Sequence, residues 1–186
     1  WWDEGYSIYF AGEPLGRMAW LTAHDIHPPL YYALLHLWTN VFGSLAPTGA
    51  RLLSVFFGAL ALPLQYVLAR EMFGGKARPA LLALLLLTFS PVHLYYSQEV
   101  RMYGLATALG LAASLALWRW MCAVDSGRQG WGPALAYLLA GLAALYTLYY
   151  AALLLLAHAL WAAVHLRKRL RSLATLVGVY ALMFLL

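Results

Sequence analysis

Apolar residues along this chain come in long unbroken runs rather than in strict alternation. A helix needs about 20 residues to cross the hydrocarbon core of a bilayer, so the informative unit is a stretch of about 17 to 25 residues without charge. Leu52 to Ala69, Pro79 to Tyr96 and Met102 to Trp118 each qualify. From Trp131 to Leu166 there is no Asp, Glu, Lys or Arg, which is too long for one crossing. That stretch predicts two short helices, 131–147 and 149–166, with a tight turn near Tyr146 to Tyr150. A last span begins near Ser172 and continues to Leu186. The runs are rich in Leu and Ala, so β structure is not expected. The pattern predicts an all-α, polytopic transmembrane helical bundle, a single domain over 1–186.

Pro28 to Phe42 is apolar but short, and His36, Thr39 and Asn40 interrupt it before Gly43, Ser44 and Pro47 break it. An interfacial or half-inserted helix fits that stretch better than a span. Residues 1–51 then form an outer loop carrying a juxtamembrane helix over about 28–42. Five crossings from Leu52 put 70–78, 119–130 and 167–171 on one side, and 1–51, 97–101 and 146–150 on the other. The first side holds nine Lys and Arg, the second only Arg17, Arg51 and Arg101. By the positive-inside rule the first side is cytoplasmic. The acids run the other way, with Glu71 and Asp125 inside but Asp3, Glu4, Glu13, Asp25 and Glu99 outside. If Pro28 to Phe42 did span, the basic count would become ten against two. Charge alone therefore does not place Asp3.

Composition sharpens this picture. The chain is 64% hydrophobic and 10% charged with a mean hydropathy of +0.71, against about 25% charged for a soluble domain. A multi-pass integral membrane protein is expected. The chain opens at Trp1 without Met and ends inside an apolar run, so a fragment of a longer protein is expected. Cys122 is the single cysteine, which leaves no internal disulfide and no thiolate metal site. The net charge of +5 does not indicate nucleic acid, because its largest cluster, Arg167, Lys168, Arg169 and Arg171, directly follows an apolar helix.

Ionisable groups near membrane depth are costly and mark candidate function. Four stretches on the outer side supply them. WWDEGYS (1–7) carries Asp3 and Glu4, and HDIHPPLYY (24–32) carries His24, Asp25 and His27. ARLLS (50–54) places Arg51 at the mouth of a span, and SQEVRMYG (97–104) supplies Glu99, Arg101 and Tyr103. Each has a plain structural alternative. Trp1 and Trp2 suit an interfacial aromatic belt, and Asp3 and Glu4 suit a solvated loop. Pro28 and Pro29 suit the first turn of a helix, and Glu99 and Arg101 suit a loop ion pair. His36, His93, His158 and His165 have no His or Glu at i+4, so they do not suggest a metal site. Convergence of all four stretches on one side favours a shared site.

WWDEGYS, HPPLYY, Arg51 to Ser54, LAREMFGGKAR and YSQEVRMYG, in this order and spacing, resemble the N-terminal half of membrane glycosyltransferases related to dolichyl-phosphate-mannose protein mannosyltransferases and lipid A aminoarabinose transferases. The resemblance covers nearly the whole chain. It implies the C-type glycosyltransferase fold and a sugar donor linked to polyprenyl or dolichyl phosphate. It further implies an acceptor hydroxyl on a protein, lipid or glycan, transfer with inversion, and a bacterial or archaeal plasma membrane with the site facing outward. In such enzymes the first outer loop carries an acidic pair whose Asp is the general base, a role that falls to Asp3 with Glu4 beside it. Its Pro-Pro segment leads into a juxtamembrane helix, and an acidic residue of the second outer loop, here Glu99, belongs to the site.

The chemistry asks for these residue types. Displacing a lipid phosphate needs a base for the incoming hydroxyl and cations for the leaving group. Arginine's planar fork holds two phosphate oxygens and keeps its charge, which makes Arg51 and Arg101 the phosphate candidates, with His27 and Tyr103 as further substrate contacts. Arg101 is also placed to orient Glu99, and Tyr103 shares a face with Glu99 if the helix begins that early. No cofactor is required; the carboxylates could hold a divalent metal, but a single phosphate is within reach of arginines. The aromatic run YTLYY (146–150) suits an interfacial turn or the wall of a groove for the donor's lipid tail. The alternatives are a transporter or permease fragment, with Glu99 and Arg101 on a solute pathway, and a non-catalytic relative acting as a structural subunit.

Overall fold

The computed structural model describes residues 2–42 and 46–185. Trp1, expected in an aromatic belt, and Gly43 and Ser44, expected to end the short helix, lie outside the described residues. Among the described residues the chain forms ten helices and no strand: α1 (Trp2–Gly12), α2 (Leu15–Ala23), α3 (Leu30–Phe42), α4 (Pro47–Met72), α5 (Ala77–Thr88), α6 (Pro91–Tyr96), α7 (Tyr103–Asp125), α8 (Trp131–Leu145), α9 (Ala151–Leu166) and α10 (Leu170–Leu185).

The first 30 residues differ most from expectation. The stretch read as a loop folds into α1 and α2, and α1 buries Glu4, Ser7, Phe10 and Ala11 on one face. That spacing is helical, but two of the four positions are polar, so hydropathy does not display the period. The expected span over 79–96 is divided into α5 and α6. Pro91 is the cause, since the residue before a proline is driven out of helical conformation; Ser90 is extended (φ −67°, ψ 117°), and its Oγ accepts from the His93 N–H at 3.3 Å. The 131–166 stretch divides at 146–150 as expected, and α7 runs past Trp118 to Asp125.

Among the described residues two helices, α4 and α7, are long and apolar enough to cross a membrane, and α5, α8, α9 and α10 are shorter apolar helices. Most of the apolar length of α4 is left unburied, open to lipid. Leu81, Leu82, Leu85 and Leu86 of α5 are likewise exposed, a surface suited to lipid.

α4 and α7 pack side by side and run parallel. Ser54 Oγ donates to the Arg101 carbonyl (3.1 Å) at one end, and Arg119 Nε donates to Glu71 (3.0 Å) at the other. Arg51 to Glu71 is 20 residues of helix, about 30 Å at 1.5 Å per residue, which is the thickness of the hydrocarbon core. Gly74 and Gly75, both at positive φ (63° and 84°), turn the chain at the end of α4, with the Gly75 N–H donating to the Arg70 carbonyl at 2.7 Å. The same end gathers Asp125, which accepts from His165 and pairs with Arg169. The other end gathers α1 to α3, the 97–102 segment and the α8–α9 turn. α3 crosses that end, since the Leu30 N–H donates to the Tyr146 carbonyl (2.9 Å) and Trp38 Nε1 donates to the Gly49 carbonyl (3.0 Å).

Two cores hold these parts. Trp120, Tyr137, Leu155 and Met183 centre the packing of α7 to α10, while Phe10, Tyr31, Tyr32, Leu35 and Leu105 centre that of the first three helices against α4 and α7. Midway along the first core, His158 meets Ser114 Oγ (3.2 Å) and Tyr137 Oη (3.4 Å), and Tyr180 donates to the Leu155 carbonyl (2.6 Å). His158 is therefore partnered across helices rather than along its own.

Close approach of α4 and α7 depends on Gly104, where an added Cβ would lie 2.8 Å from the Ser54 carbonyl oxygen. Gly104→Ala is expected to cost about 1–3 kcal/mol, whereas Gly132→Ala, with nothing within 4 Å of its Cβ, costs nothing. Thermal unfolding of the two variants in detergent checks this; equal midpoints contradict the packing.

Candidate active site

Three segments meet at Glu4. It sits in the first turn of α1 with only 4% of its surface exposed. Arg51, in the second turn of α4, donates Nε to Oε1 (2.8 Å) and Nη2 to Oε2 (2.7 Å). The Val100 N–H, in the bend before α7, donates to Oε1 at 3.2 Å. Bidentate guanidinium and backbone donors stabilise the anion, and the Arg51 hydrogen bonds are the largest cause holding the Glu4 carboxyl at about 2. A carboxylate so bound is a weak base. Glu4 ties α1 to α4 and to the bend before α7.

Asp3, its neighbour, is exposed and forms no ion pair among the described residues. Its charge nevertheless acts on Arg101 and Tyr32. The acidic pair is thus split by the helix, one carboxylate turned into the fold and one turned out.

Arg101 is 7% exposed, and its surroundings differ from those of Arg51. Its Nη2 donates to His27 Nε2 at 3.2 Å, and its guanidinium lies 5.8 Å from the centre of the Tyr103 ring. No carboxylate pairs with it among the described residues. Arg101 was expected to orient Glu99, but the only link there is backbone, the Arg101 N–H donating to the Glu99 carbonyl at 2.8 Å. The carboxylate of Glu99 instead interacts with Tyr95 one turn back, and its charge acts on Arg51. Tyr103 does not share a helical face with Glu99, because α7 begins only at Tyr103.

His27 was expected to contact substrate, yet both ring nitrogens are engaged, Nδ1 with Asp25 Oδ2 (3.1 Å) and Nε2 with Arg101. Beneath Arg101, Tyr31 Oη and Ser54 Oγ are 2.8 Å apart. Since the Ser54 hydrogen goes to the Arg101 carbonyl, Tyr31 is the donor. Asp25, Tyr31 and Ser54 were not among the expected site residues. Asp25 stood in the same quoted stretch as His27, but Tyr31 and Ser54 are hydroxyls inside apolar runs with no local signal.

All seven expected residues, Asp3, Glu4, His27, Arg51, Glu99, Arg101 and Tyr103, lie at one end of the bundle. Beside them a groove of about 500 Å³ is lined by Leu87, His93 and Tyr96, by Tyr103 and Thr107 of α7, and by Leu148 and Tyr150 of the α8–α9 turn. YTLYY therefore supplies both the turn and part of a groove wall.

An all-helical bundle with apolar helices of membrane-crossing length and an ionisable cluster at one end fits an integral membrane enzyme. The chain belongs to the dolichyl-phosphate-mannose-protein mannosyltransferase family, whose model matches residues 26–186, and it is a mannosyltransferase-like membrane glycosyltransferase. The match takes in His27, Arg51, Glu99, Arg101 and Tyr103, while Asp3 and Glu4 precede it. No curated protein and no solved structure matches the chain.

The Glu4 contact predicts a pH dependence of stability. With the folded carboxyl at about 2 against an ordinary 4.5, the stabilisation is complete above pH 4.5 and is lost as pH falls towards 2. Thermal unfolding midpoints of wild type and Glu4→Gln should differ at neutral pH and converge over that window. A gap unchanged down to pH 2 contradicts the ion pair.

Proposed function

We propose that this chain carries the donor-phosphate and base side of a site that moves a sugar from a polyprenyl or dolichyl phosphate to an acceptor hydroxyl on the outer face, with inversion. The observation that carries the reading is Arg101, a nearly buried cation whose neighbours are an imidazole and an aromatic face rather than a carboxylate. Asp3 acts on this cation by its charge but forms no ion pair with it among the described residues, so a bound phosphate would give the guanidinium an anion in direct contact. Arg51, half-exposed and already held by Glu4, adds a second positive edge.

In the reaction, Asp3 takes the proton of the acceptor hydroxyl as its oxygen attacks the anomeric carbon. The bond from that carbon to the phosphate oxygen breaks on the opposite side, which inverts the centre. The electron pair leaves with the lipid phosphate, and Arg101 stabilises it. Glu99, turned away from Arg101, is placed to contact the sugar or the acceptor. The groove beside Tyr103 is wide and apolar enough for an isoprenoid tail, and its walls include interfacial tyrosines. The outward direction is supported by the gathering of Lys and Arg at the opposite end of the bundle. The acceptor is a protein, lipid or glycan.

In the full-length protein, Asp3→Asn should lower sugar transfer from a polyprenyl-phosphate donor by at least about a hundredfold while leaving membrane insertion and donor binding intact. Radiolabelled sugar transfer in proteoliposomes measures it. Turnover like that of wild type removes Asp3 as the base.

A further inference from the structure

The contact between Arg101 and His27 fixes a protonation state. A guanidinium has only donors and does not lose its proton in proteins. At the 3.2 Å contact, then, His27 Nε2 must be the acceptor, without a hydrogen. The ring's single hydrogen is on Nδ1, which faces the Asp25 carboxylate at 3.1 Å. Asp25 thus selects the tautomer, as a second carboxylate does for many functional imidazoles. An imidazolium in this place would turn an N–H towards the guanidinium.

This order matters because Arg101 has few other restraints. Its backbone is pinned by Ser54, while the guanidinium is held by His27 and by Tyr103, with Asp3 acting on it through its charge and no carboxylate in an ion pair with it among the described residues. A carboxylate in place of His27 would fix the guanidinium equally well and neutralise it. A neutral acceptor fixes it without taking its charge.

Resting on the reading of Arg101 as the phosphate ligand, we propose that Asp25 and His27 are positioning residues: they hold the guanidinium by one N–H through a neutral imidazole, so that its charge and remaining N–H donors stay available to the lipid phosphate.

The test uses the full-length protein in lipid nanodiscs, with polyprenyl phosphate itself as the probe and calorimetric binding as the readout. Loss of a hydrogen bond to a charged group corresponds to about tenfold to hundredfold in affinity, and His27→Ala is expected to weaken binding by that factor. His27→Gln keeps an acceptor for Arg101 and a donor for Asp25, and is expected to stay within about threefold of wild type. Asp25→Ala, which frees the tautomer, is expected to fall between them. Arg101→Ala should abolish binding. Thermal midpoints are recorded for each variant, and rescue by His27→Gln is the result that a merely structural histidine would not give.

If Arg101→Ala loses binding while His27→Ala binds like wild type, the phosphate site stands and the positioning role is overturned. Equal loss in His27→Gln and His27→Ala, with both folded, also overturns it. If wild type does not bind polyprenyl phosphate, the phosphate site itself is overturned, and the positioning role with it.

Discussion

The arrangement depends first on the ion pair between buried Glu4 and half-exposed Arg51. One carboxylate receives two donors from α4 and one backbone donor from the bend before α7. Losing Arg51 would leave the buried Glu4 carboxylate without its counter-ion, which is costly. The constraint is therefore mainly one of position: α1 cannot leave the end of the bundle where α4 and α7 begin. Asp3 comes with it. The parallel course of α4 and α7, close enough to need Gly104 between them, brings Arg51 and Arg101 to that same end.

From this follows a division of labour that residue types alone do not reveal. The cluster holds two arginines and four acids, Asp3, Glu4, Asp25 and Glu99, and a simple reading gives both arginines the phosphate and both N-terminal acids the proton. Geometry separates them. Glu4 and Arg51 satisfy one another, whereas Asp3 stands exposed and Arg101 stands buried beside neutral partners. Asp3 and Arg101 carry no ion pair among the described residues, and the proposed transfer onto a hydroxyl from a phosphate would use one as base and the other as cation.

Much of the bundle was legible because lipid imposes a coarse rule on sequence: charge-free runs of helix length mark α4, α7, and the α8–α9 pair with its break at 146–150. What failed had local causes. Pro91 divides a run that hydropathy averages over, and α1 is hidden because Glu4 and Ser7 occupy half of its buried face. The site residues with formal charge could be seen as exceptions in an apolar chain. Tyr31 and Ser54 could not, since their hydroxyls find partners only when α3 and α4 pack. The same holds for His158, isolated in sequence yet joined to Ser114 and Tyr137 from two other helices. Partners brought from distant helices are what pattern reading lacks.

The central claim is that α1 and the bend before α7 lie on one membrane face, opposite the basic loops. Single cysteines in a Cys122→Ser background test it directly: Gly5→Cys and Glu99→Cys for the first face, Lys76→Cys and Lys168→Cys for the other. The full-length protein in sealed, right-side-out vesicles is treated with a membrane-impermeant thiol reagent. The account predicts that positions 5 and 99 react from outside, and that 76 and 168 react only once the vesicles are opened. Positions 5 and 99 reacting from opposite sides would contradict it, because Asp3 could then not share a site with Arg101.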